Sequence, residues 1–125
     1  ELRREARRLE GELDVKLAAY NKLSSSYETS YGGGDSAEQL SQTKAMEIES
    51  LLSRLSDTND EMGYIVGGSH DARSHLLARH RDILQDYTQE FRRLNASLSV
   101  ARDRVALLRD ARAEGGSASP SGGAL

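Results

Sequence analysis

Histidine is the residue type in this sequence best suited to bind a metal ion, and three histidines, His70, His75 and His80, recur every five residues. The helical zinc motif spaces two histidines four residues apart, which places both on one face. A step of five instead turns the side chain by about 140°, so neighbouring rings point in different directions. The spacing therefore predicts no metal site. His80 falls on an apolar stripe and is predicted to be a partly buried ring, whereas His70 is predicted to lie in a loop.

Carboxylates at Asp82, Asp86 and Glu90 form a ladder with a spacing of four residues. Paired carboxylates perform acid/base chemistry only where a cleft perturbs their pKa values, and a solvated helix face offers no such cleft. No Ser or Cys nucleophile is indicated beside the histidines. The sequence therefore predicts no catalytic residue, no cofactor-binding residue and no enzyme.

Two glycine clusters, Gly32 to Gly34 and Gly67-Gly68, invite comparison with phosphate-binding loops. They lack the strand that precedes such a loop and the Lys-Ser/Thr pair that ends it. We interpret both clusters as connections between helices.

Four arginines near the start, at positions 3, 4, 7 and 8, form a short basic patch. Acidic residues follow at once, and no face of Trp or Phe accompanies the patch, so binding to a membrane surface is not the favoured interpretation. The whole chain has 17 Lys and Arg against 20 Asp and Glu, a formal charge of −3, which argues against nucleic acid as a partner.

The amino-acid composition limits which fold classes are possible. The 125 residues are 37% hydrophobic and 30% charged, which suits one small domain, and the low aromatic content of 5% favours helices over sheets. The absence of Cys excludes disulfides and thiolate zinc sites. No run approaches the roughly 18 consecutive apolar residues of a membrane span, so none is predicted.

Apolar residues spaced three and four apart predict three helices, at about 2–27, 37–66 and 72–112. Asp35 or Ser36 is predicted to cap the second helix. A residue between Ser69 and Asp71 is predicted to cap the third. The three apolar stripes are Leu2, Ala6, Leu9, Leu13, Leu17, Tyr20, Leu23 and Tyr27; Ile48, Leu51, Leu52, Leu55, Met62 and Val66, interrupted by Asn59; and Leu77, His80, Leu84, Tyr87, Phe91, Leu94, Leu98, Ala101, Val105 and Leu108.

Three stripes that face one axis bury one another, so we predict an all-α fold: an antiparallel up-down-up three-helix bundle with a long third helix, over residues 1–113. The Gly- and Ser-rich residues 114–125 are predicted to be a flexible linker. Because helical patterning begins at Glu1 and the chain ends in this linker, we expect it to be a piece of a longer protein.

Three blocks of the sequence carry a family resemblance. They are Leu2 to Arg7 continuing through Leu9 to Leu17; Met46 to Glu49 with Leu51-Leu52 and Asn59 to Met62; and the contiguous run from His80 to Phe91. In this order they resemble the intra-Golgi Qb-SNAREs. The resemblance implies an N-terminal regulatory bundle of the Habc type, followed by a SNARE motif with a central Gln and a membrane anchor, at the cytosolic face of the Golgi membrane.

That family implies partners as well: syntaxin-type Qa, Qc and R SNAREs bound through the SNARE motif, and tethering factors or the protein's own SNARE helix bound through the bundle. Gln85 and Gln89 do not supply the central Gln, because both fall off the third stripe. We expect this part of the protein to be soluble and to act by recognition in vesicle docking and fusion between endoplasmic reticulum and Golgi. The alternatives are a constitutive coiled-coil scaffold that self-associates and, with least support, a helical enzyme.

Overall fold

The computed structural model describes residues 1–29, 34–68 and 71–124. It contains three α-helices: α1 at Leu2–Thr29, α2 at Gly34–Val66 and α3 at Ala72–Ala124. No strand occurs in these ranges, which confirms the all-α prediction. Within the same ranges, none of the helices combines the length and apolar character that crossing a membrane requires.

The direction of each helix follows from the order of the polar pairs that join it to its neighbours. The pairs are Glu5 with Arg54 and Lys16 with Glu47 between α1 and α2, Glu10 with His80 and Tyr20 with Asn95 between α1 and α3, and Ser41 with Arg102 and Asn59 with His80 between α2 and α3. Residue numbers rise together along α1 and α3 and fall along α2. The helices therefore run up, down and up, and all three pairs of helices are in contact.

The predicted stripes form the core because each turns toward the other two helices. The side chains of the main core cluster are Ala6, Leu9, Leu13, Leu17, Tyr20, Ile48, Leu51, Leu55, Phe91, Leu94 and Leu98. Tyr20 and Phe91 pack with ring centroids 5.7 Å apart. Leu108, the last member of the third stripe, is 45% exposed, because the buried positions of α3 end at Val105.

The helix ends on either side of the connection between α2 and α3 carry the predicted capping residues, Gly67 and Asp71. Gly67 has a positive φ of 61°, and its amide donates to the carbonyl of Gly63 at 2.9 Å. Glycine adopts this left-handed conformation without steric cost, so it ends α2. Asp71 accepts a hydrogen bond from the amide of Arg73 at 3.0 Å and caps α3.

Two helix boundaries differ from the predicted ones. Asp35 and Ser36 lie inside α2, which begins at Gly34, and α3 continues to Ala124 rather than ending near residue 112. Extending an existing helix adds a hydrogen bond for each residue without a new nucleation cost, so composition sets its ends only weakly. Whether residues 114–125 serve as a flexible linker stays a prediction. The predicted loop positions at 32–33 and 69–70 lie outside the described residues.

Candidate functional site

The structure describes two of the three histidines, and these two lie in different surroundings on α3. His75 is exposed on α3, His80 is buried, and His70 lies outside the described residues. Within the described part of the chain, no group of three or more His, Cys, Asp or Glu side chains could hold a metal ion. Because His75 is exposed and His80 is buried, these two rings do not share one exposed face.

His80 forms the closest polar contact between α1 and α3. Its Nδ1 atom lies 2.6 Å from Oε2 of Glu10, and the two side chains are only 7% and 12% exposed. The ring was predicted to be partly buried at the edge of the bundle, and it is more enclosed than that. Its backbone carbonyl also accepts a hydrogen bond from the Asn59 amide at 3.3 Å, which joins α2 to the same level.

Tyr87, about two turns after His80 on α3, extends this contact. Its hydroxyl lies 3.1 Å from the carbonyl oxygen of Glu10 and 2.8 Å from Oδ1 of Asp14. Burial, helped by the hydrogen bond to Asp14, raises the pKa of Tyr87, so the phenol stays protonated and donates. We call Glu10, Asp14, Asn59, His80 and Tyr87 the polar layer.

The polar layer positions helices. Its bonds join all three helices within about two helical turns, and each of them requires a particular register between its two helices. Buried polar contacts of this kind specify which residues face one another, because a shifted helix would leave them without partners. Asn59, which interrupts the apolar pattern of α2, donates one of these bonds, and its position opposite His80 was not predictable from the sequence.

The carboxylate ladder lies on the outside of α3. Asp82 and Asp86 are exposed, and Glu90 pairs with Arg93 at 2.7 Å. The hydrogen bond from Arg93 lowers the pKa of Glu90, which keeps this carboxylate charged. A general acid needs the opposite shift, so the ladder is a solvated helix face, as the sequence indicated.

A second cross-helix network lies at the far end of the bundle. Arg102 contacts Oε2 of Glu38 through Nε at 2.9 Å and donates through Nη2 to the Ser41 hydroxyl at 2.8 Å. The Tyr27 hydroxyl donates to the same Glu38 carboxylate at 3.2 Å. We call these four residues the Arg102 clamp. The apolar periodicity did not predict this clamp, although Arg102 follows the stripe residue Ala101 and so lies beside the seam.

An apolar cleft opens at the opposite end, where α1 begins, α2 ends and α3 begins. Its volume is about 380 Å³. Its apolar walls are formed by Leu2, Met62, Ile65, Val66, Leu76 and Leu77. Ile65 is 67% exposed, so the three helices leave apolar surface uncovered here. Concave apolar surface is the usual form of a binding site, and the periodicity of the sequence gave no indication of it.

The basic patch near the chain start divides into two parts. The side chain of Arg8 pairs with both Glu5 and Glu12 of the same helix. Arg3, Arg4 and Arg7 are exposed and line shallow cavities beside the apolar cleft.

Residues 1–117 match the family model described as the GOSR1 N-terminal domain. The chain belongs to this GOSR1 N-terminal domain family. This confirms the resemblance to intra-Golgi SNAREs that the three sequence blocks indicated.

Relatives of the GOSR1 N-terminal family come from animals and plants. The chain is 40% identical to Golgi SNAP receptor complex member 1 of Mus musculus over 129 residues, which cover 86% of this chain and 52% of that relative. The corresponding protein of Homo sapiens is 38% identical over the same shares. Golgi SNAP receptor complex member 1-2 of Arabidopsis thaliana is 38% identical over 90% of this chain and 53% of its own length. The chain thus spans about half the length of these relatives, and no solved structure matches it.

Proposed function

We propose that this chain is the regulatory, protein-interaction domain of a Golgi SNARE and acts in vesicle docking and fusion between endoplasmic reticulum and Golgi and within the Golgi. The observation that carries the proposal is the match of residues 1–117 to the GOSR1 N-terminal domain. The relatives' name, Golgi SNAP receptor complex member 1, supports the location and the process. Membership of this family makes recognition, rather than catalysis, the expected activity.

The shape of the domain suits recognition. The polar layer and the Arg102 clamp hold three helices in one register, so the outer surface is presented on a rigid support. A binding surface on rigid elements loses little conformational entropy when a partner docks. In this proposal the bundle contacts the SNARE helix of the same protein or a tethering factor, at the cytosolic face of the Golgi membrane. Syntaxin-type Qa, Qc and R SNAREs would bind the SNARE motif of the whole protein.

The proposal is tested by titrating the isotope-labelled chain with a peptide of the SNARE motif of the mouse relative and, separately, with tether subunits. We expect changes in backbone amide resonances that saturate and map to one face of the bundle. A peptide with the same composition but scrambled heptads is the control. If none of these partners perturbs any resonance, the domain is not the regulatory module proposed.

One observation favours a second candidate, a self-associating helical module. Beyond Val105 the helix α3 has no buried side chain among residues 106–114, yet it carries Leu107 and Leu108, which are 68% and 45% exposed. Paired apolar residues on an unpacked helix can form a coiled coil with a second copy. Sedimentation equilibrium separates the two candidates, because only self-association makes the apparent mass depend on concentration.

A further inference from the structure

The apolar cleft continues into a charged groove between α1 and α3. A neighbouring cavity of about 300 Å³ shares Arg3, Leu76 and His80 with the cleft and adds Arg7 and Arg79 to its lining. An apolar floor is therefore joined directly to a rim of guanidinium groups. This combination has the anatomy of a protein interface, in which an apolar centre is surrounded by a polar rim.

The arginines that line the groove lack acidic partners. Within the described part of the chain, Arg3, Arg7 and Arg79 form no ion pair, whereas Arg73, which lines the cleft, pairs with Asp71. On the adjacent face of α1, by contrast, Arg8 is paired on both sides. One carboxylate, that of Glu10, also lines the groove, and it is occupied because it contacts His80.

The charge of the rim indicates what it binds. A guanidinium group presents a planar fork of donors that matches a carboxylate, and unpaired arginines beside an apolar cleft favour a ligand that offers carboxylates around an apolar anchor. An amphipathic helix satisfies both conditions, since its apolar residues enter a groove while its polar residues reach the rim. A membrane surface fits less well, because it is bound by protruding apolar side chains, whereas here the apolar groups line a concavity.

We propose that the cleft and its arginine rim bind an acidic amphipathic helix of a partner protein, whose bulky apolar side chains enter the cleft and whose carboxylates pair with Arg3 and Arg79. This inference rests on the proposed recognition function and gives it a place and a partner chemistry. The two arginines lie on different helices, α1 and α3, so the bound helix bridges the groove between them.

The test uses a fluorescent peptide of about 18 residues, or five helical turns, with leucines three and four apart on one face and glutamates elsewhere. Binding to the whole chain is followed by anisotropy at low and high salt. The double variant Arg3→Glu/Arg79→Glu reverses one charge on α1 and one on α3. The matched control, Lys22→Glu/Arg92→Glu, makes the same change in net charge with exposed residues of the same two helices that line neither cavity.

We expect the rim variant to weaken binding about tenfold, which corresponds to about 1.4 kcal/mol. The control variant should stay within about twofold of the original chain, and high salt should weaken binding by the original chain. Peptides with lysine in place of glutamate, or serine in place of leucine, should bind much more weakly. Helix content measured by circular dichroism verifies that both variants are folded.

Several outcomes would overturn the inference. Equal weakening in both double variants would mean that only net charge matters, and equal affinity for the lysine peptide would remove the role of the rim. Binding to phosphatidylserine vesicles but not to the peptide would assign the surface to a membrane. Concentration-dependent mass that the rim variant abolishes would assign it to a second copy of the chain.

The proposed function is judged separately. If the rim variant still responds to the SNARE-motif peptide or a tether through resonances outside the cleft, while the glutamate peptide fails to bind, the inference is wrong and the recognition function stands. If the glutamate peptide binds as expected but the SNARE and tether titrations produce no change, the cleft binds an acidic helix and the proposed regulatory function is wrong.

Discussion

The arginines at the two ends of this bundle differ in whether they have interaction partners. At one end, Arg102 of α3 is held by Glu38 and Ser41 of α2, and Tyr27 of α1 completes the clamp. At the other end, Arg3 and Arg79 line a groove without an acidic partner among the described residues, beside an open apolar cleft. The same residue type therefore closes the structure at one end and stays available at the other.

This difference separates stabilising groups from binding groups. A charge that is already paired gains little from a new partner. An unpaired charge beside apolar surface is free to contribute to binding, and replacing it does not weaken the fold. The polar layer lies between the two ends and fixes the register of both. Four substitutions test this division, starting with the one that affects the whole bundle.

Phe91→Ala should have the largest effect, because this ring packs against Tyr20 in the shared core. We expect a loss of about 3–5 kcal/mol in the free energy of unfolding, measured by urea denaturation. Leu108→Ala, at an exposed position of the same helix, should change it by less than about 0.5 kcal/mol. Similar losses for both variants would mean that α3 is not seated as described.

His80→Ala should cost about 1–3 kcal/mol, because it leaves the nearly buried carboxylate of Glu10 without its partner. His75→Ala, an exposed histidine of the same helix, serves as the reference substitution. If the two variants unfold at the same urea concentration, the contact between His80 and Glu10 does not stabilise the bundle.

Arg102→Ala tests the closed end directly. Because Arg102 and Glu38 are both about one-third exposed, their pairing is partly screened, and we expect a loss of about 1 kcal/mol. Arg3→Ala at the open end should lie within about 0.5 kcal/mol of the original chain. The comparison between the two ends fails if Arg3→Ala is the more destabilising of these substitutions in thermal unfolding.

Tyr87 should make stability depend on alkaline pH. Its pKa in the folded chain is raised above the ordinary value of 10.0, so its contribution is complete below about pH 10 and is lost as the pH rises toward the folded pKa. Unfolding experiments should therefore show stability that is constant from pH 8 to about pH 10 and falls between about pH 10 and about pH 11. Tyr87→Phe should reduce the fall while costing about 1 kcal/mol at neutral pH. An unchanged pH dependence in this variant would exclude the phenol as its source.

Spacing alone predicted the inward faces well because burial follows a 3.6-residue period. Leu9, Leu13 and Tyr20 on α1, and Leu94 and Leu98 on α3, are buried where the stripes placed them. The helix ends were less predictable, because residues near a terminus have no packing partner that fixes where the backbone bonds stop. α2 accordingly starts at Gly34 and α3 runs to Ala124.

The amino-acid sequence by itself determined the helical class, the number of helices, their apolar faces and the resemblance that the family match confirmed, because each depends on local periodicity or on contiguous blocks. Only the tertiary structure decided which polar residues meet. Asn59 and His80, or Ser41 and Arg102, are far apart along the chain, and no local pattern sets their distance. The cleft with its arginine rim has the same origin, since it depends on how three helix ends are placed against one another.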